Sequence, residues 1–295
     1  DYGVFWFEQG EGGRWTRRTI DAAWSQAHAS TLVDLNADGR LDLVTGKRFM
    51  AHNGSDPGER EPLGVYWYES RPAAATAGPA SASAARDRRG SPASRRGSAS
   101  AAGGGPSPQV LAENMPVNDL AVNVKGDLYF SDTAGKKIWF LPKGGTPRVV
   151  DEGIESPNGV LFSPDQTLLY VSDYVGQLSW VFQIQPDGSL THKQKYFYAH
   201  MPDAATRSSS DGMAVDADGR VYIATALGVQ VFDQIGKCHA IIPAPQRLAL
   251  SNVEFGGPNF DEMYVTNGDK VFKRKTKVKG VMSWRAAVKP PPPRL

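Results

Sequence analysis

Cysteine is almost missing from this sequence. Cys238 is the one thiol in 295 residues, which excludes an internal disulfide framework and a cysteine-built metal cluster, and leaves it to be read as a packed strand residue. Long apolar runs are missing as well. Nothing approaches the ~20 residues that cross a bilayer as a helix, so no membrane span is expected. Charge of one sign is scarce: the formal net charge is +2, too little to argue for a nucleic-acid partner. The chain opens at Asp1 with no Met, basic leader or apolar leader segment. It reads as a fragment or a processed form, and a periplasmic or secreted setting is favoured over a cytoplasmic one. His192, His200 and His239 lack the spacing of metal ligands, and no Ser–His–Asp arrangement is evident.

One segment lacks apolar side chains larger than alanine and proline. Residues 71–108 contain no Val, Ile, Leu, Met or aromatic residue, and carry Arg71, Arg86, Arg88, Arg89, Arg95 and Arg96 against Asp87. Such a stretch cannot bury enough apolar surface to offset the entropy of ordering. It reads as a disordered low-complexity linker or as an out-of-frame segment.

What is present on either side is strand pattern. In residues 1–70, "YGVFWFE" (2–8) and "LGVYWYE" (63–69) repeat one another and alternate with period 2. Between them, "DLNADGRLD" places oxygen ligands at Asp34, Asn36, Asp38 and Asp42, with Gly39 for the sharp turn. Oxygen-bearing side chains alternating in a tight loop suit Ca²⁺, which takes six to eight such ligands. The continuation "LVTG" is a strand rather than an EF-hand helix, and in that context the loop resembles an FG-GAP-type propeller repeat, as in integrin-like and bacterial surface proteins. A plain Asp/Asn/Gly turn is the alternative.

Residues 109–284 repeat more clearly. "VNDLAVNVKGDLYFSD", "PNGVLFSPDQTLLYVSD", "SDGMAVDADGRVYIAT" and "SNVEFGGPNFDEMYVTN" share one template: a polar residue, an apolar strand, a Gly- or Asp-bearing turn, then a second strand with Tyr. Periods near ~40–50 residues with several short strands each indicate propeller blades. Asp216 and Asp218 fall in the turn of this template and are read as turn formers. Asn118, Asn158, Asp211 and Ser251 fall instead at the start of the innermost strand, where blades converge. Residues 285–295 are read as an extended tail.

With these residues in hand, 109–284 resembles the gluconolactonase/regucalcin (SGL) family of six-bladed propeller lactonases. The resemblance rests on "NDLAV…GDLYFSD", "SPNGVLFSPDQTLLYVSD", "DGMAVDADGRVYIAT" and "NVEFGGP…MYVTNG", in that order. It implies an all-β, six-bladed type of propeller, here incomplete, preceded by the N-terminal β repeat. It also implies one divalent cation (Ca, Zn, Mn or Mg) at the axis, held by Asn158, Asp211 and a first-blade Glu. Asp211 would double as general base, and Asn118 would contact substrate. The expected "EGP"-like Glu motif has no counterpart; Glu8 and Glu69 are the nearest substitutes. The implied activity is hydrolysis of a sugar lactone or similar small ester, so the expected partner is a small molecule. The competing reading is a non-catalytic, calcium-stabilised scaffold that binds carbohydrate or protein at a cell surface.

Overall fold

A computed structural model describes residues 3–22, 27–47, 63–71 and 108–293. The expectation for 71–108 therefore lies almost wholly outside the described residues. Every element of three residues or more is a strand, apart from one 3-10 turn at Glu11–Gly13, and no helix of the described residues is long and apolar enough to cross a membrane.

The chain begins as a hairpin, β1 (Val4–Gln9) with β2 (Trp15–Asp21). The first blade then joins β3 (Ala27–Val33), β4 (Asp42–Lys47), β5 (Gly64–Tyr68) and β6 (Gln109–Glu113) in that order. Because β5 pairs with β6, this blade draws strands from both sides of the 71–108 segment. The N-terminal repeat and the blades that follow it thus build one propeller.

The second blade runs β7 (Leu120–Val122), β8 (Leu128–Asp132), β9 (Lys137–Leu141) and β10 (Arg148–Glu152). The third runs β11 (Pro157–Phe162), β12 (Leu168–Asp173), β13 (Leu178–Ile184) and β14 (Leu190–Tyr198). The fourth is β15 (Met213–Val215), β16 (Val221–Thr225), β17 (Gly228–Phe232) and β18 (Cys238–Pro243). The fifth has three strands, β19 (Leu250–Gly256), β20 (Glu262–Asn267) and β21 (Lys270–Lys275). All pairings are antiparallel, and β3, β7, β11, β15 and β19 neighbour one another in turn along the inside.

The six-bladed expectation is therefore corrected. The described residues form five blades, and the β1–β2 hairpin packs on the first of them through Val4 and Ile20 against Leu43, Tyr66 and Tyr68. A two-stranded hairpin buries too little apolar surface to stand as a blade of its own.

The period-2 pattern explains how blades cohere. In β8, Leu128 and Phe130 enter the core shared with the first blade, while Tyr129 between them enters the core shared with the third. In β12, Leu169 and Val171 face the second blade, and Tyr170 faces the fourth. In β16, Val221 and Ile223 face the third blade, and Tyr222 and Ala224 the fifth. Middle strands are thus buried on both faces, and each large side chain contributes about 1.5–3 kcal/mol.

The ring is strapped at the end where the inner strands finish. Val281 N–H donates to Val215 O at 3.0 Å, and Ala217 N–H to Lys279 O at 2.9 Å. Gln166 Nε2 donates to Ser283 O at 2.6 Å and to Arg285 O at 3.0 Å. Val281 packs on the core of blades three and four, and Trp284 on that of blades one and two. The strap therefore ties non-adjacent blades across the axis.

Candidate functional site

The site grows from the way neighbouring inner strands begin. Asn118 N–H donates to Ser131 O and Asp211 N–H to Ala224 O, each at 2.9 Å, so each residue starts its inner strand against its own second strand. The second strand of one blade then reaches into the next. Ser131 Oγ donates to Asn158 O at 2.6 Å, and Ser172 Oγ to Asp211 O at 2.8 Å. Ser172 Oγ also accepts from Gly159 N–H at 2.7 Å, and Gly212 N–H donates to Ser251 O at 3.1 Å. At the other side, His28 Nδ1 lies 2.6 Å from Asn118 O. One run of hydrogen bonds thus passes through His28, Asn118, Asn158, Asp211 and Ser251 at a common level of the ring.

The glycine after Asn158 is required there. A Cβ at Gly159 would sit 2.4 Å from Asp211 O, so only glycine lets strands β11 and β15 approach this closely. "SPNG" is therefore a packing motif as well as a polar one.

The structure brings Asn158 and Asp211 to adjacent inner strands, with Asn118 one blade further on. Asn118 and Asn158 are buried, whereas Asp211 is half-buried and lines an open cleft of about 770 Å³ with Tyr174, Arg207 and Arg247. Asn118 Oδ1 and Ser210 Oγ are buried and accept no hydrogen bond from the described residues. A buried amide oxygen left bare fits a hard cation or a hydroxylated ligand. The donor set of Asn118, Asn158 and Asp211 is oxygen-only and carries one negative charge.

A second acidic ligand is not at hand among the described residues. In the first blade the matching place is Ala29, ahead of Ser30, as Asn118 is ahead of Asp119. Glu8 is engaged with Arg18 at 2.8 Å on the hairpin. Glu69 accepts from Arg71 at 2.9 Å and from Asn36 Nδ2 at 3.2 Å. Among the described residues no group of three or more His, Cys, Asp and Glu side chains converges on one point. Ser251, aligned with the axial acceptors in sequence, is exposed and spends its hydroxyl on Thr266 Oγ1 at 2.8 Å.

Asp34, Asn36 and Asp38 occupy the turn between β3 and β4 and Asp42 opens β4; the turn is in the same place that Asp216 and Asp218 hold between β15 and β16. The hydrogen bonds match. Asp38 N–H donates to Asn36 Oδ1 as Asp218 N–H does to Asp216 Oδ1. Arg40 pairs with Asp38 as Arg220 pairs with Asp216 and Asp218. Asp34 accepts Asp38 N–H and Gly39 N–H, both at 2.9 Å. Asp42 is fully buried and takes Ser70 N–H on Oδ1 at 2.8 Å, while its Oδ2 has no partner among the described residues.

Sequence reasoning passed over a second pair of carboxyls. Asp119 and Glu254 line a small axial cavity of about 80 Å³ with Asn252 and Met213, closed by Val281–Trp284. Asp119 accepts Val160 N–H at 2.8 Å, and burial pushes its pKa up to about 6. Glu254 keeps solvent-exposed surface although protein crowds its carboxyl. That burial, with the Asp119 charge added, pushes it up to about 7. The signal was in the repeat: Glu254 stands where the other inner strands carry Ala121, Leu161 and Ala214.

Residues 9–269 match the family described as the SMP-30/Gluconolactonase/LRE-like region. The match runs through the segment that the sequence pattern assigned to an FG-GAP-type repeat. Among curated proteins, a gluconolactonase of Zymomonas mobilis is 26% identical over 182 residues, covering 55% of this chain and 51% of that protein. A pentonolactonase of Haloferax volcanii is 27% identical over 156 residues, covering 50% of this chain and 52% of that protein. The chain thus spans about half the length of these curated relatives. Among solved structures, a gluconolactonase of Xanthomonas campestris superposes with a TM-score of 0.59 at 20% identity, covering 93% of this chain and 78% of that one. At that identity the likeness speaks for the fold.

Proposed function

Because this chain belongs to the SMP-30/Gluconolactonase/LRE-like region family, we propose that it hydrolyses a sugar lactone or similar small ester, with Asp211 as base beside a divalent cation. The lactonase names of its relatives support the reaction class. The observation that carries the site is the hydrogen-bonded run that fixes Asn158 and Asp211 on touching inner strands, with Asp211 open to the large cleft.

Asn158 Oδ1 and the Asp211 carboxylate would hold the ion. When bound, the ion would polarise the lactone carbonyl as a Lewis acid. Asp211, kept ionised by the nearby positive charge, would orient a water and take its proton as the water attacks. Asn118, with its bare Oδ1, would hold a substrate hydroxyl. The buried Ser131 and Ser172 hydroxyls fix the backbone that aims these groups, so the site costs little reorganisation.

The test is ring opening of glucono-1,5-lactone, followed by acid release in the presence of Ca²⁺, Zn²⁺, Mn²⁺ or Mg²⁺. Turnover should rise with a divalent ion and fall by roughly a hundredfold or more in Asp211→Asn. Equal turnover in that variant overturns the role given to Asp211.

One observation favours the second reading, a calcium-stabilised binding scaffold. With Ala29 in the first blade and Glu8 and Glu69 engaged elsewhere, the axial ion would have a single carboxylate. In the β3–β4 turn the unpartnered Asp42 Oδ2 supports the Ca²⁺ site read from sequence. Lactone opening by the wild-type chain would exclude the scaffold as its sole role.

A further inference from the structure

The cleft beside Asp211 carries more positive charge than a neutral sugar needs. Arg207 and Arg247 both line it, and neither has a carboxylate within ion-pair distance among the described residues. Other described surface cations, Lys125 and Arg274 among them, also lack an ion pair; what sets Arg207 and Arg247 apart is that both line the cleft onto which Asp211 opens.

Both guanidiniums stand on pinned loops. Arg207 lies over the Tyr174 ring at 5.2 Å, a cation–π contact that anchors the guanidinium. The next residue, Ser208, is fully buried and donates to Asp173 O at 3.0 Å, and Ser209 N–H donates to Tyr174 O at 3.0 Å. Arg247 is held from both sides by the fully buried Asn267. Gln246 N–H donates to Asn267 Oδ1 at 3.0 Å, and Asn267 Nδ2 donates to Leu248 O at 2.7 Å. Arginines that are positioned but unpaired at the mouth of a cleft are arranged to receive an anion.

We propose that Arg207 and Arg247 select a lactone bearing an acidic substituent, a carboxylate or a phosphate, over the neutral sugar lactone. This rests on the lactonase reading for its reaction, though not for the binding itself. Asp211 would act at the ring while the two arginines hold the charged end, and the cleft volume of about 770 Å³ accommodates both.

The experiment has two arms. Hydrolysis of 6-phosphoglucono-1,5-lactone and glucaro-1,4-lactone is compared with that of glucono-1,5-lactone, as ratios of kcat/KM. At least one acidic lactone should be favoured by about tenfold or more, which also separates phosphate from carboxylate. Arg247→Gln and Arg207→Gln should each shrink that ratio about tenfold, while Arg274→Gln on the outer strand β21 should leave it alone. The second arm is calorimetric binding of glucitol 6-phosphate and of glucarate against glucitol, which needs no turnover. If no lactone is opened but an acidic ligand binds and is lost in the arginine variants, the anion site stands and the lactonase reading falls. Neutral and acidic ligands treated alike in both arms, or a preference unmoved by either arginine variant, overturns the proposal.

Discussion

At the scale of single residues, close approach decides the outcome at Gly159. A side chain there would collide with the Asp211 carbonyl, so Gly159→Ala should destabilise the protein by about 1–3 kcal/mol, read as a lower urea midpoint. It should also weaken ion binding, because it separates β11 from β15. Glu254 gives a pH signature. Its pKa is raised in the folded chain to about 7, so the folded state holds a proton that the unfolded chain releases. That contribution is fully present below the ordinary glutamate pKa and is lost as pH rises through about 7. Stability should therefore decline between roughly pH 4 and 8. Glu254→Gln should flatten the decline and raise stability at pH 8 by about 1 kcal/mol, a modest figure because Glu254 keeps solvent-exposed surface. Thermal midpoints at pH 5 and pH 8 check it, and a slope equal to that of the wild type would contradict the role given to this carboxyl. The placement of Asp211 and Asn158 at the heads of neighbouring inner strands was legible in sequence because "SDG" and "SPNG" fall at one place in a repeat. Glu254 was overlooked because an acidic residue inside an apolar strand was read as part of the template, not as a departure from it.

Among the elements, the strap and the β3–β4 turn are the most open to test. Trp284 is half-buried on the core between blades one and two, so Trp284→Ala should cost about 2 kcal/mol or more in a denaturant titration. No loss would mean that the strap rests on the ring without holding it. The same element was hard to see in sequence, since "VMSW" has no strand alternation and acts through contacts with distant blades. The acidic turn was easy to see, and two readings of it, a calcium loop and a plain Asp/Asn/Gly turn, share its spacing. Its residues follow a calcium-loop spacing, but its hydrogen bonds repeat those of the Asp216–Arg220 turn. Ca²⁺ should raise the thermal midpoint of the wild type more than that of Asp42→Asn; equal shifts would make this a self-satisfied turn.

For the molecule as a whole, blade architecture was readable because alternation along one strand feeds two cores, as with Leu128, Tyr129 and Phe130 in β8. Blade number was not readable. β5 and β6 are separated in sequence by the apolar-poor 71–108 segment, so their pairing into one blade leaves no local signal. The five blades nevertheless carry their axial residues to one level, where Asn158 and Asp211 would share one ion. Mn²⁺ binding followed by electron paramagnetic resonance tests that sharing most directly, comparing the wild type with Asn158→Ala, Asp211→Asn and Asp38→Ala. One bound Mn²⁺ should disappear in each of the first two variants and persist in the third. Undiminished binding in both Asn158→Ala and Asp211→Asn would contradict a cation held between those two blades.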